Sequence, residues 1–261
     1  MKTLPTLFVS HGSPMLAIER TAAHEFLAGL GKALPRPSAI LLVSAHWETV
    51  GGVAVSVAAQ PETIHDFGGF SPALYQIQYA APGAPDAALR AAAALEEAGL
   101  PVRTSATRGL DHGAWVPLRL MYPAADIPVA QVSVMRGASP AEHLRLGAAL
   151  RSLREQGVLV IGSGSLTHNL YEFRGHDVAA SVPAWVGEFG DWMKERIEAG
   201  DHAALLDYRK AAPHAVRNHP TEEHLLPLFV AKGAAGEGAL GRRLHASVEY
   251  GVLAMDVYAF E

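Results

Sequence analysis

The sequence has thirteen histidines and no cysteine in 261 residues, so any transition-metal site must use imidazole or carboxylate groups. Five of the histidines lie among small residues, glycine or proline at the ends of predicted elements, where a ligand can approach the backbone closely. They are His11, His46, His112, His168 and His224. These five are the candidates for metal binding and catalysis.

The chemistry that such a set can perform follows from the imidazole group. Neutral imidazole binds zinc, iron, copper or nickel. Three ligands leave coordination positions open, either for a water on zinc or for a diol and dioxygen on ferrous iron. Two further histidines could then act as general acid and base near neutral pH.

Three apolar segments lead directly to three of these histidines. Residues 39–43 (AILLV) predict a buried strand, after which Ser44 and Ala45 precede His46. Residues 7–10 lead to His11, and residues 158–161 lead through a GSGS stretch towards His168. Because open α/β sheets bind ligands at the carboxyl ends of their strands, we expect the three histidines to share one site.

The remaining segments predict elements that alternate with these strands. Helical patterns cover 19–34, 86–98, 141–156, 183–199 and 202–211, and another helix begins near His224 and ends at Gly233. Further strands are predicted over 53–58, 101–106, 127–134 and 252–260, and the segment RGLDHGAW (108–115) predicts a turn with His112 at its centre. With no repeat or linker, the chain predicts one α/β domain over 1–261, with a mainly parallel or mixed central sheet flanked by helices.

Composition limits the partners. The formal net charge is −5, and acidic and basic residues are interspersed, so neither a nucleic acid nor an anionic membrane surface is an expected partner. No apolar run reaches membrane-spanning length, and the N-terminal segment lacks the core of a signal peptide. We therefore expect a cytoplasmic protein that acts on a small molecule.

Familiar short motifs are only partly matched. The stretch GSGSLT (162–167) begins like a dinucleotide-binding loop but has Thr167 in place of the third glycine, and it is not a nucleophile elbow. We interpret it as a tight strand exit. His219 and His224 are five residues apart, which does not match the zinc-protease helices.

Six stretches, taken in order, resemble the successive motifs of class III extradiol ring-cleavage dioxygenases, and most closely the DOPA 4,5-dioxygenase type. They are HGSPM (11–15), LLVSAHW (41–47), TIHDFGGF (63–70), LDHGAWVPL (110–118), GSGSLTHNL (162–170) and PTEEHLLPLF (220–229). The resemblance implies a single α/β domain, a non-haem ferrous iron and the oxidative opening of a catechol ring beside its hydroxyl groups. The implied product is of the muconic semialdehyde type, and both oxygen atoms of O2 are incorporated.

The resemblance also implies residue roles. His11 and His46 match two metal ligands, and His224 matches the third, although protocatechuate-type relatives have a glutamate there and Glu222 and Glu223 lie nearby. His168 matches the acid–base histidine and is a possible fourth ligand when zinc is bound. His112 matches a histidine that hydrogen-bonds substrate or oxygen. The implied ring contacts are His65 and Tyr75, and Trp47 is expected to pack beneath the site.

Two other functions are compatible with these residues. The same three imidazoles could activate water on zinc in a hydrolase. A non-catalytic binding protein on the same fold is the third interpretation. The substituent of the catechol, the metal in the purified protein and the oligomeric state, including a homo-oligomer, stay open.

Overall fold

The structure is a computed structural model that describes residues 3–173 and 176–261. Its centre is an eight-stranded mixed sheet in the order β4-β3-β5-β2-β6-β1-β10-β7. The strands are β1 (Thr6–Ser10), β2 (Ala39–Thr49), β3 (Val53–Ser56), β4 (Val102–Ser105), β5 (Val129–Met135), β6 (Val158–Gly164), β7 (Gly241–His245) and β10 (Val257–Phe260). β8 (Val248–Glu249) and β9 (Leu253–Ala254) form a separate antiparallel pair.

The helices cover the two faces of this sheet. They are α1 (Ala22–Ala33), α2 (Pro85–Glu97), α3 (His112–Met121), α4 (Pro140–Ala149), α5 (Ala184–Ala199), α6 (His202–Leu206), α7 (Tyr208–Ala211), α8 (Ala215–Asn218) and α9 (Leu226–Ala235). Short 3-10 helices occupy Pro14–Ala17, Pro72–Gln76 and Arg151–Gln156. The predicted α/β fold with a mixed sheet flanked by helices is confirmed.

The middle of the sheet is parallel, and its strands are buried on both faces. β5, β2, β6 and β1 run parallel in that order, whereas β3 against β5 and β10 against β1 are antiparallel. Alternate residues of β2 enter different cores. Ile40 and Leu42 pack with α1 and α3, while Leu41 and Val43 pack with α2 and α4. Because both faces of β2 are buried, residues 39–43 form a continuous apolar run.

The structure corrects several predicted elements, among them the helix over 202–211, which is divided at Asp207 into α6 and α7. The segment around His112 is the start of α3, with Asp111 as the extended residue before it, and not the centre of a turn. The predicted helix over 141–156 is α4 followed by the 3-10 helix at Arg151–Gln156, in which Leu153 and Arg154 are buried. The predicted strand over 252–260 is two strands, because β9 pairs with β8 and only β10 joins the main sheet.

No helix among the described residues has both the length and the apolar character needed to cross a bilayer.

Candidate active site

The five candidate histidines converge on one cavity, although they come from five places in the fold. His11 follows β1, His46 lies in the last part of β2, and His112 is the first residue of α3. His168 lies in the loop after β6, and His224 lies just before α9. All five line a cavity of about 420 Å³ at the carboxyl ends of the central parallel strands. The sheet topology thus brings together residues that are far apart in the chain, such as His11 and His224, which are separated by 213 positions.

The sequence predicts that the strand ends before His46, but β2 extends beyond this residue. It continues to Thr49, and its pairing with β5 shifts register between Ser44 and Glu48. Such an irregularity in a strand can re-aim a side chain. His46 lies within this irregular segment, and its half-buried ring lines the cavity.

Three histidines form a cluster whose ring nitrogens nearly touch. His46 Nε2 lies 2.9 Å from His11 Nε2 and 3.2 Å from His224 Nε2. Burial is the main cause that lowers the pKa of His46 to about 3, and it holds the pKa of His11 and His224 well below the usual value. The charges of neighbouring histidines act in the same direction. All three rings are therefore neutral at pH 7.

A chain of hydrogen bonds sets the tautomer of His11. Pro117 lies inside α3 and has no N–H, so it cannot bond the carbonyl of Gly113, four residues earlier. Ser163 Oγ donates to that free carbonyl. Because the hydroxyl proton of Ser163 is used in this hydrogen bond, Ser163 Oγ can only accept from His11 Nδ1, which lies 3.0 Å away. His11 Nε2 is consequently the nitrogen with the free lone pair.

In His46 and His224, a carboxylate beside Nδ1 likewise places the proton on that nitrogen. His224 Nδ1 donates to Glu223 Oε1 at 2.9 Å, and His46 Nδ1 lies 3.6 Å from Asp66 Oδ2. A carboxylate beside Nδ1 favours a proton on that nitrogen. His224 Nε2 and His46 Nε2 are then also lone-pair nitrogens.

Three lone pairs that point at each other cannot hydrogen-bond, because none of the three atoms carries a proton. A cation placed between them would satisfy all three at once. The donor set of three neutral imidazoles fits a transition metal such as iron or zinc and leaves further positions open. His11, His46 and His224 could therefore hold a metal, as their ligand atoms also lie within 4.8 Å of one another.

Asp66 is a site residue that sequence reasoning missed, although it stands beside His65 in the quoted TIHDFGGF stretch. Its Oδ1 accepts from both the backbone N–H and the Nδ1 of His112, at 3.0 and 2.9 Å. Burial alone would raise the pKa of Asp66, but these hydrogen bonds and the nearby imidazoles lower it to about 2. Asp66 is thus an anion that contacts His112 and lies near His46. Its signal in the sequence was a carboxylate within a loop rich in glycine and aromatic residues.

His168 stacks on His224, with ring centroids 3.5 Å apart and planes 7° from parallel. Burial, followed by the charges of His219 and other histidines, lowers its pKa to about 3. Its ring nitrogen groups with Glu223 and His224, and not with the cluster of His11, His46 and His224. His168 is therefore a neutral imidazole that lines the cavity beside the cluster.

His65 and Tyr75, the predicted ring contacts, do not line the cavity. His65 Nε2 bonds the carbonyl of Ile77 at 3.1 Å, and both side chains lie next to Phe67, with centroids 5.8 and 5.3 Å from its ring. Phe67 itself lines the cavity. The apolar part of the wall also includes Pro14, Phe70, Leu170, Phe173 and Leu253. An apolar wall of this kind suits an aromatic ring.

A buried polar network supports the site from below, and sequence reasoning missed it too. Asp111 is fully buried, and its carboxylate accepts from Ser44 Oγ at 2.7 Å, Arg108 Nη2 at 2.6 Å and Gln131 Nε2 at 2.8 Å. Ser44 Oγ in turn accepts from the backbone N–H of His46. The guanidinium of Arg108 lies over the ring of Trp47, with 5.0 Å from Cζ to the ring centroid.

The site can be compared with known proteins. Residues 5–258 match the family model described as the catalytic LigB subunit of aromatic ring-opening dioxygenase. A protein of Beta vulgaris named 4,5-DOPA dioxygenase extradiol is 42% identical over 260 residues, which cover 98% of this chain and 96% of that protein. The protein with the same name in Escherichia coli K12 is 39% identical over 235 residues, with 88% and 85% covered.

A solved structure has the same fold. It is the crystal structure of an uncharacterized protein from Escherichia coli K12, with a TM-score of 0.81 and 31% sequence identity over 99% of this chain and 100% of that chain. The family match extends over nearly the whole length, and the fold and the metal-competent histidine cluster agree with it. The chain therefore belongs to the LigB family of aromatic ring-opening dioxygenases.

Proposed function

We propose that the protein is an iron(II)-dependent extradiol dioxygenase that opens the ring of a substituted catechol with O2 to give a muconic semialdehyde-type product. One observation carries the proposal. Three lone-pair nitrogens meet in a cavity whose wall also contains Phe67, Phe70 and Phe173, and two more histidines, His112 and His168, lie beside them. The 4,5-DOPA dioxygenase name of several relatives supports a catechol as the substrate class.

In this proposal His11, His46 and His224 hold the metal. The ferrous ion would supply Lewis acidity towards the catechol oxygens and the electrons that activate O2. The buried residues around the cluster keep bulk water away, which strengthens every polar interaction inside it. Phe67, Phe70 and Phe173 would pack against the ring and its substituent.

Proton transfer is assigned to the two remaining histidines. His168 is neutral and has no side-chain hydrogen bond within the described part of the chain, so it is free to take a proton from a catechol hydroxyl and return it later. His112 Nδ1 is bonded to Asp66, so its Nε2 is the nitrogen that can interact with substrate or oxygen. Asp66 stabilises His112 in this orientation and would stabilise a proton shared with it.

The direct test is oxygen uptake by anaerobically iron-loaded protein against a panel of catechols, with the formation of a yellow product as the second signal. We expect one O2 consumed per catechol and no turnover with zinc. Stoichiometric O2 uptake separates the proposal from a zinc hydrolase and from a binding protein, since neither consumes oxygen. Iron-loaded protein that binds catechols without oxygen uptake would contradict it.

Two variants separate the proposed roles. His46→Ala should lose iron, because it removes one of three ligands. His168→Ala should keep iron but lose activity by about 100-fold or more, which is the usual contribution of a general acid–base group. Metal content by elemental analysis and oxygen uptake are measured on the same samples. Wild-type turnover in His168→Ala would exclude His168 as the acid–base group.

A further inference from the structure

A second cavity lies where α4 packs against α9, and its walls are basic. It encloses about 440 Å³. The charged residues in its wall are three cations and one carboxylate, namely Arg145, Arg151, Lys232 and Glu237. The whole chain has a formal net charge of −5, so the positive excess here opposes the overall charge. A cavity with positive walls concentrates anions.

Lys232 is the unusual member of this set. Its side chain is nearly fully buried, with 2% of the residue exposed. Its one hydrogen bond in the described part of the chain is a long contact of 3.4 Å from Nζ to the carbonyl of Ala239. Over the same residues no carboxylate lies within the 4.0 Å of an ion pair, in contrast to Lys194 and Lys210, which pair with Glu198 and Asp207. A buried ammonium without a counter-charge needs an explanation, and an ion that binds there is one.

Lys232 lines the cavity together with His202, and its Nζ lies 5.8 Å from the centroid of the Phe260 ring, which is not part of the wall. After burial, the charge of Lys232 is the next cause that lowers the pKa of His202, which also lines the cavity. Arg151 approaches the same wall at Gly236, where its guanidinium would contact any added Cβ at 2.8 Å. Gly236 also has a φ of +104°, a backbone conformation that favours glycine.

The carboxyl end of α9 does not require Lys232 or Arg151 as a hydrogen-bonding cap. The last carbonyls of α9 already accept hydrogen bonds from Arg154, whose Nη1 donates to Ala234 O and Ala235 O at 3.1 and 2.9 Å. Arg154 is not part of the cavity wall. Capping of α9 therefore does not account for Lys232 and Arg151.

We propose that this cavity is a binding site for a small multivalent anion of the phosphate type, held by Lys232 and Arg151 and by Arg145, whose Nη2 makes long hydrogen bonds of 3.4 and 3.5 Å to the carbonyls of Ala98 and Gly99. Guanidinium groups bind phosphate oxygens in pairs, and a lysine adds a compact positive charge. The cavity shares no lining residue with the histidine cavity. The proposal is therefore independent of the metal chemistry, and the two can fail separately.

Calorimetric titration of the full-length, iron-loaded protein with inorganic phosphate and with pyrophosphate tests the site. Sodium chloride keeps the ionic strength constant, so that general screening is the same in every sample. We expect one pyrophosphate per chain, with affinity at least about tenfold weaker in Lys232→Met and in Arg151→Gln, since each loses a charge-assisted contact. The matched control Lys210→Met removes an exposed lysine and should bind as the wild type does.

A bound metal can also attract phosphate, so the titration is repeated with His46→Ala. Binding that persists in His46→Ala and Lys210→Met but weakens in Lys232→Met and Arg151→Gln supports the site. Any other pattern, including no binding by the wild type, overturns the proposal. Thermal unfolding without anion adds a second test, because Lys232→Met removes an uncompensated buried charge and should raise the midpoint. A lowered midpoint would show that Lys232 is a structural residue and would also overturn the proposal.

Discussion

At the scale of single residues, the site depends on which nitrogen of each histidine carries the proton. A serine and two carboxylates decide this for the metal cluster, and Asp66 decides it for His112. None of these partners belongs to the cluster of His11, His46 and His224. The residues that orient the imidazoles therefore matter to the proposed chemistry as much as the imidazoles do.

Asp66→Asn tests this directly. The amide oxygen can still accept the two bonds from His112, but the negative charge that stabilises a proton on His112 is lost. We expect kcat per bound iron to fall by about 10- to 100-fold, the usual effect of removing a partner of this kind. Oxygen uptake and elemental analysis measure the two quantities. The exposed Asp207→Asn is the control, and an unchanged kcat in Asp66→Asn would remove Asp66 from the mechanism.

At the scale of elements, β6 supports the site through its two glycines. A Cβ at Gly162 would lie 2.1 Å from the carbonyl oxygen of Pro227, and one at Gly164 would lie 2.0 Å from that of His224. The first three residues of the GSGS stretch, which was predicted as a strand exit, belong to β6, and its two glycines let the segment before α9 lie directly against the sheet. This close approach places His224 next to His11 and His46.

Gly164→Ala should push the His224 segment away from the sheet. Overpacking of this kind costs about 1–3 kcal/mol of unfolding free energy, and we expect weaker iron binding as well. Urea unfolding of the metal-free protein and iron titration measure the two effects. The control is Gly190→Ala in α5, where no atom lies within 4 Å of the added Cβ, and it should stabilise the protein by about 0.5–1 kcal/mol. Equal stability of Gly164→Ala and wild type would contradict this account.

At the scale of the whole molecule, the fold tolerates a buried carboxylate far from the histidines. Asp256 lies just before β10 and is 4% exposed. Burial raises its pKa to about 6, although Arg243 Nη1 lies 3.2 Å from Oδ1 and acts in the opposite direction. Because the folded-state pKa lies above the unfolded value, the stability that this group contributes is present below about pH 4 and is lost as the pH rises through about 6.

Asp256→Asn should therefore gain stability relative to the wild type as the pH rises from 4 to 7. The expected change in the difference between their unfolding free energies is up to about 3 kcal/mol, since one pKa unit corresponds to about 1.4 kcal/mol. Urea unfolding of both proteins at several pH values measures it, and other titrating groups cancel in the difference. A difference that does not vary with pH would show that Asp256 keeps its ordinary pKa.

The sequence by itself determined the class of fold and the identity of the chemical groups. The continuous apolar run at 39–43 predicts a strand buried on both faces, and glycine, proline and histidine at the ends of such strands mark where an open sheet binds its ligands. Local patterns, however, cannot report distances between segments far apart in the chain. Only the tertiary structure brought Nε2 of His46 within about 3 Å of two other rings, made His112 the start of a helix, and placed Phe67 rather than His65 on the cavity wall. The same holds for Asp66 and Asp111, which look like ordinary loop carboxylates until packing gives each its partners.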